Sequence, residues 1–319
     1  MATGSIASTK RRTRPMPVPV RWLTSRVDEK VSPYLYIAPF FLLFAAFGLF
    51  PILYTAFVSL HRWDIIGTHE WVGLDNYALL LTDPRMWIAL RNTISIWLLS
   101  TIPQLAIALT LAHLLHQRSL KGKTIFRMAM LVPNVTSVVA VAIIFESIFG
   151  FHYGIANFII EKIGLERINW QAGTISSHVA IATMVLWRWT GYNALIYLAG
   201  LQSISPELLE AAAIDGANRL QQLRHITIPL LRPTIIFTVI VSTIGGLQIF
   251  AEPLLFAPGA NITGGSARQF STLTLFMYEQ AFRSFKLGYA SAVAWLLFLI
   301  IVIFSIGNFL LTRRIRSAD

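Results

Sequence analysis

Residues 210–229 read EAAAIDGANRLQQLRHITIP, a polar, alanine-rich stretch broken by one glycine and set between two long apolar segments. Ser205 and Pro206 just ahead of it form a strong helix start. The serine hydroxyl can cap, and proline suits a first helical position because no N–H is needed there. Glu207 and Glu210 then fall near the positive end of the helix dipole. Leu209 shares a face with Ala213, and Leu208 with Ala212. Gly216 stops the helix, because glycine readily takes the left-handed conformation that follows a helix end. A second helical stretch is expected from about Asn218 to His225, ended by Pro229. The stretch therefore predicts two short helices joined at a glycine elbow, with small alanines that let another surface come close. The residues alone are equally compatible with an ordinary amphipathic connection between spans.

The flanking segments decide the class. Of 319 residues, 55% are hydrophobic and 13% charged, against roughly 25% charged in soluble domains. Six apolar runs are long enough to cross a bilayer at about 20 residues each: 35–60, 89–115, 125–149, 179–201, 233–256 and 287–311. In lipid every backbone polar group must be bonded internally, so these runs predict helices. Pro51, Pro103, Pro133 and Pro253 interrupt them. Freed carbonyls at such sites need neighbouring helices or water, which points to a bundle enclosing something. The fold class is thus all-α, integral to a membrane.

Of the 26 Lys and Arg, 17 fall in segments that are cytoplasmic if the N-terminus is inside, and eight in the outer loops. The bias places both termini and the 210–229 loop in the cytoplasm. Ser119 and Ala217 are then inside, and Thr68 and Gly265 outside. The chain divides into a basic, mostly disordered tail over 1–33, a six-span domain over 34–312 with its loop at about 203–231, and a short cytoplasmic tail over 313–319. The first tail can be drawn to anionic lipid. The outer loops, apolar in content, predict short helices on the membrane surface. The cations are scattered through loops and tails with no aromatic-plus-basic module, which argues against nucleic acid. There is no cysteine, so disulfides and thiolate chemistry are excluded. No internal repeat supports an inverted-repeat carrier.

The pattern formed by Glu210, Ala211, Ala212, Gly216, Ile226, Ile228 and Pro229 resembles the coupling-loop signature of permease subunits from binding-protein-dependent ATP-binding-cassette importers. Ile228 stands where leucine is usual, and the proline that often precedes the loop is displaced, giving ISPELLEAA. The resemblance covers roughly 33–312. WVGLDNY and ALRNT look like the first outer loop and second-span entry of maltose-type carbohydrate permeases. YGIANFIIEKIGLERINW, with Gly154, Asn157 and Trp170, looks like their second outer loop, and TLTLFMYEQAF with LGYASAVAWLLF like the entry to their last span. LQIFAEPLLF departs from the commoner aromatic-Asp pattern and looks most like actinobacterial permeases for cello- or chito-oligosaccharides.

The resemblance implies a subunit that performs no covalent chemistry and carries no cofactor or metal. It implies a second permease, two copies of an ATPase, an extracellular sugar-binding protein and an oligosaccharide substrate. Glu210, Ala211, Ala212, Asp215, Gly216, Ile226 and Pro229 would couple to the ATPase. The family's first-type permease offers its sugar site from the fourth, fifth and sixth spans. The matching stretches WRWTGYNALIY and GGLQIFAEPLLF imply Tyr192 and Phe250 as stacking rings, with Asn193, Gln248 and Glu252 for hydroxyls. Gln248 and Glu252, four apart, are expected on one helix face, with Phe250 elsewhere unless Pro253 unwinds the turn. The bland alternative is that both polar residues bond to neighbouring helices.

Other chemistry is weaker. Gly122–Thr124 reads GKT but lacks the earlier glycine and strand of a phosphate loop. His113 and His116 are three apart with no third ligand. Trp187, Trp189 and Tyr192 fit an interfacial belt as well as sugar stacking. Arg188 is expected to reach the outer headgroups. Glu146 and Glu252 each need a partner in the membrane. They also supply the rival reading, a proton-coupled secondary transporter. A membrane-embedded transferase would need a cluster of Asp, His or Arg at one face, and there is none.

Overall fold

The computed structural model describes residues 27–64, 69–117, 121–257 and 262–316. Thr68, Ser119, most of the basic tail and the last three residues, 317–319, lie outside the described residues. Two compact units divide at Thr55 and Ala56.

In the first unit, α1 (Val27–Phe44) starts earlier than the span expected from residue 35. It passes through a π turn, Ala45–Leu49, into α2 (Phe50–Ser59). Pro51 follows the turn directly and has no N–H for the Phe47 carbonyl, while Phe50 N–H reaches Ala45 O, five back. Its side chains, such as Tyr36 and Phe47, are largely exposed, as lipid-facing residues are.

The second unit takes in the last turn of α2 from Ala56, then a two-residue antiparallel pair, β1 (His61–Arg62) and β2 (Glu70–Trp71), and α3 (Asp75–Thr82). Then comes α4 (Pro84–His116), whose 33 residues span about 50 Å at 1.5 Å each. Asp83 caps it, accepting from Arg85 N, and the Arg85 guanidinium and Tyr289 hydroxyl also bond to that carboxylate. Burial works to raise the Asp83 carboxyl, but these partners outweigh it and hold the group below the ordinary carboxylate range.

Three apolar clusters form the core, and α4 contributes to each: Ile96 in one, Met86, Ala89 and Trp97 in the second, Ala108, Ala112 and Leu115 in the third. Its chief partner is α8 (Thr174–Gln202). Small residues let neighbours close in. A Cβ on Gly191 of α8 would lie 1.9 Å from the carbonyl oxygen of Met130.

The expected third span is two helices, α5 (Lys123–Val135) and α6 (Val138–Ile148), bent by 93° at the break that follows Pro133. After α7 (Ile155–Lys162) and α8 come the short helices α9 (Pro206–Ile214) and α10 (Arg219–Gln222), then α11 (Ile228–Leu247), α12 (Ala251–Leu255), α13 (Leu273–Phe282) and α14 (Leu287–Arg316). The loops expected outside hold short helices, α3, α7 and α13. However, α13 is packed into the core through Leu273, Leu275 and Phe276 and does not merely rest on a surface.

Among the described residues four helices are long and apolar enough to cross a membrane: Val31–Ser59, Pro84–His116, Arg219–Leu247 and Leu287–Leu310. The bent pair makes a fifth. The expected fourth span, α8, is long enough at 29 residues, but Arg188, the neighbouring tryptophans and Asn193 keep it out of that set. It is instead largely buried by protein, with Ala180, Ile181, Met184 and Ala194 fully covered.

Candidate functional site

A cavity of about 380 Å³ opens between α4, α8 and the break after α11. All five residues expected at the sugar site, Tyr192, Asn193, Gln248, Phe250 and Glu252, line it. So do Thr101 and Gln104 of α4, Arg188 and Trp189 of α8, and Ser242 of α11.

The local chain path explains how they meet. The expected continuous span 233–256 is broken: α11 ends at Leu247 and α12 begins at Ala251, so Gln248 and Glu252 do not share a regular helix face. Pro253 is the cause, since it offers no N–H to the carbonyl of Ile249, four residues back. That carbonyl accepts from the hydroxyls of Thr272, at 3.0 Å, and Thr274. Gln248 caps α11 at φ −99°, and Phe250, at φ −134°, lies in the break. Phe250 thereby lines the cavity with its ring 5.1 Å from that of Tyr278. Close approach to α4 is secured by Gly246, where a Cβ would lie 2.4 Å from Trp97.

The chemistry of the lining is mixed. Trp189 and Tyr192 meet edge to face with centroids 6.0 Å apart. Asn193 Nδ2 donates to the Trp189 carbonyl at 3.3 Å, leaving its oxygen for other partners. Arg188 does not reach outward to headgroups. Its Nη1 donates to Glu252 Oε1 at 2.5 Å, with the two side chains 15% and 8% exposed. An unpaired charge is costly at membrane depth, and each of these is the other's compensation. Trp187 faces Phe145, ring centroids 5.8 Å apart, outside the lining. Glu146 is half-buried on α6 and does not line the cavity.

Thr101, Gln104 and Arg188 were not assigned to the site from sequence. Gln104, beside Pro103, is a polar side chain buried to 3% exposure in mid-span. Such a residue was a usable signal, because buried polar groups in a span tend to mark functional cavities.

The 210–229 loop forms largely as its caps require. Ser205 accepts from Glu207 N, and Pro206 takes the first turn. Gly216 has φ +88°, and Ala217 N reaches back to Ala212 O at 2.9 Å, closing the helix end. Asn218 and Gln221 cap α10 reciprocally. Pro229 does not end the second helix. A π turn, Leu223–Thr227, absorbs its missing donor, and the helix continues from Arg219 to Leu247. Glu210, Ala211, Asp215 and Gly216 are exposed, Ala212 and Ile226 half-buried. Neither α9 nor α10 buries a residue, and Ile214 and Leu220 stand 87% and 72% exposed.

Cavities elsewhere among the described residues, such as the two that follow, hold none of the expected sugar-site residues. One of about 360 Å³ lies where His113 and Gln117 of α4 meet Leu209, Arg219 and Gln222. The other, about 480 Å³, is lined by Asp83, Arg85, Gln280 and Tyr289. Its Asp83, Arg85 and Tyr289 are bonded to one another.

Residues 93–317 match the family described as "Binding-protein-dependent transport system inner membrane component". The chain is 34% identical over 286 residues to the arabinooligosaccharides transport system permease protein AraP of Bacillus subtilis (strain 168), covering 89% of this chain and 90% of that one. It is 36% identical over 297 residues to the lactose transport system permease protein LacF of Rhizobium radiobacter, covering 91% and 98%. The crystal structure of a bacterial alginate ABC transporter, in complex with alginate pentasaccharide-bound periplasmic protein, contains a chain of the same fold. That likeness has a TM-score of 0.78 at 20% identity, and covers 92% of this chain and 98% of the other.

Proposed function

Because the chain belongs to the family of binding-protein-dependent transport system inner membrane components, we propose that it is the sugar-conducting permease of an ATP-driven oligosaccharide importer. As a member of that family it is a multi-pass transport subunit of the cytoplasmic membrane, not an enzyme. Its relatives transport arabinooligosaccharides and lactose, which supports a saccharide as cargo here.

The observation that carries the reading is the cavity itself. Tyr192, Trp189 and Phe250 offer ring faces to the C–H groups of a pyranose, while Gln104, Asn193 and Gln248 offer amides that both donate to and accept from hydroxyls. Aromatic surface with a few placed polar groups is the usual make-up of a small-molecule site.

On this reading the chain crosses the membrane six times, with α8 as the fourth span and both termini cytoplasmic. It pairs with a second permease, two ATPase copies and an extracellular sugar-binding protein. The exposed loop of Glu210–Pro229, with Ile214 and Leu220 projecting, docks into the ATPase and converts its closure into movement of the spans. ATP drives transport only if the closed ATPase pair favours the outward-facing arrangement.

The test is uptake by the reconstituted importer. Gln248→Ala should lower sugar uptake several-fold, since a polar contact buried under the bound sugar is worth on the order of 1–3 kcal/mol, and Tyr192→Ala should do so by removing a stacking ring. Complex assembly and the binding protein's affinity should be unchanged. Wild-type uptake by both variants across sugar concentrations would move the site elsewhere.

A further inference from the structure

Among the residues lining the 380 Å³ cavity there is one cation, Arg188, and one carboxylate, Glu252. They are bonded to each other at 2.5 Å. The guanidinium also lies over the Trp189 ring, 5.9 Å from its centroid. Its Nε–H is buried and has no hydrogen-bond partner among the described residues. The other polar lining groups, such as Thr101, Gln104, Asn193, Ser242 and Gln248, carry no charge.

We infer that the Arg188–Glu252 pair makes this cavity selective for an uncharged saccharide over one bearing a carboxylate, with Glu252 as the residue that enforces the choice. This rests on reading the cavity as the sugar site. A neutral sugar leaves the ion pair intact and meets only the uncharged groups of the lining. A uronate has no free cation to meet. To bond Arg188 it must share the guanidinium with Glu252, setting two carboxylates side by side where water does not screen them. Without Glu252 the same cavity holds an uncompensated guanidinium, which is a carboxylate site. A pair that served only to tie α8 to α12 would affect stability and leave the neutral-to-acidic ratio alone.

The experiment measures sugar binding by calorimetry on the full-length chain with its partner subunits in lipid nanodiscs. The binding protein is left out, so that its own preference does not enter. The neutral probes are arabinotriose, lactose, trehalose and maltotriose, and the acidic probes lactobionate and trigalacturonate. Wild type should bind at least one neutral probe on the order of tenfold more tightly than either acid. Glu252→Gln should narrow that ratio by about tenfold or more, the scale of one hydrogen bond to a charged group. Arg188→Gln should not narrow it.

Ser242→Lys keeps the question answerable if Glu252→Gln does not assemble, because it adds an unpaired cation to the same cavity and should also narrow the ratio. Equal affinity of wild type for the acids would overturn the inference. So would an unchanged ratio in an assembled Glu252→Gln or Ser242→Lys complex. Binding of no probe by wild type would instead overturn the sugar reading of the cavity, and this inference with it.

Discussion

Asn157 shows how much one side chain can organise. It is 1% exposed. Its Nδ2 donates to the carbonyls of Phe151 and Ile168 at 3.1 and 3.0 Å, while Oδ1 accepts from Ile168 N and Trp170 Nε1, both at 3.1 Å. Asn76 and Asn92 act alike. Asn76 donates to the carbonyls of Ser59 and His61, and Asn92 to those of Arg268 and Ser271. Each asparagine ties together backbone carbonyls at the ends of elements and in the loops beside them. We predict that Asn157→Ala lowers the midpoint of thermal unfolding in detergent by several degrees and exposes 150–170 to protease. Each buried group left unpaired costs about 1–3 kcal/mol. An unshifted midpoint with unchanged proteolysis would show that the loop holds without it. All three residues sit in stretches whose resemblance to carbohydrate permeases was legible. Their task was not, because partners 176 and 179 positions away, as for Asn92, leave no trace in local sequence.

At the scale of elements, what was readable is what local chemistry controls. The start of α9 at Ser205 and Pro206, and its stop at Gly216, follow from groups within a few residues of each other. The end of the second helix of the 210–229 loop did not follow, because a π turn lets Pro229 lie inside a continuous helix. Likewise Pro253 announced a distortion, but its extent depended on Thr272 and Thr274 arriving from elsewhere to take the Ile249 carbonyl. Gly216 gives a sharp test. A Cβ there would meet nothing within 4 Å, so any cost of substitution lies in the positive φ alone. A β-branched residue is a genuine outlier at such a φ, whereas asparagine tolerates it. Gly216→Val should therefore weaken ATPase co-purification or abolish the response of hydrolysis to sugar, and Gly216→Asn should largely restore both. Glu210→Lys, which reverses charge near the start of α9, should resemble the valine variant. Normal coupling in Gly216→Val would detach this elbow from the ATPase.

For the whole molecule the open physical question is which way the chain lies in the bilayer. Hydropathy finds the apolar helices but leaves out α8, which carries Arg188 and the buried Asn193 and is the fourth span only on the proposed reading. Orientation rests on a different quantity, the 17 Lys and Arg assigned to the inner side against eight outside. The chain has no native cysteine, so single cysteines report without background. The fold decides where to put them. Gly265 is a poor choice, since its φ is +94° and a Cβ would lie 2.3 Å from the Gln269 side chain. Tyr153 is 98% exposed between α6 and α7, and Leu220 is 72% exposed on α10. In intact cells an impermeant thiol reagent should label Tyr153→Cys and leave Leu220→Cys untouched until the membrane is permeabilised. Leu220→Cys should also lose labelling when the ATPase is co-expressed, because that face is the one proposed to dock. Labelling of Leu220→Cys in intact cells would invert the topology. The exposed Ile214 and Leu220 would then face away from any cytoplasmic ATPase, and the coupling role of Glu210–Pro229 would fall with the orientation.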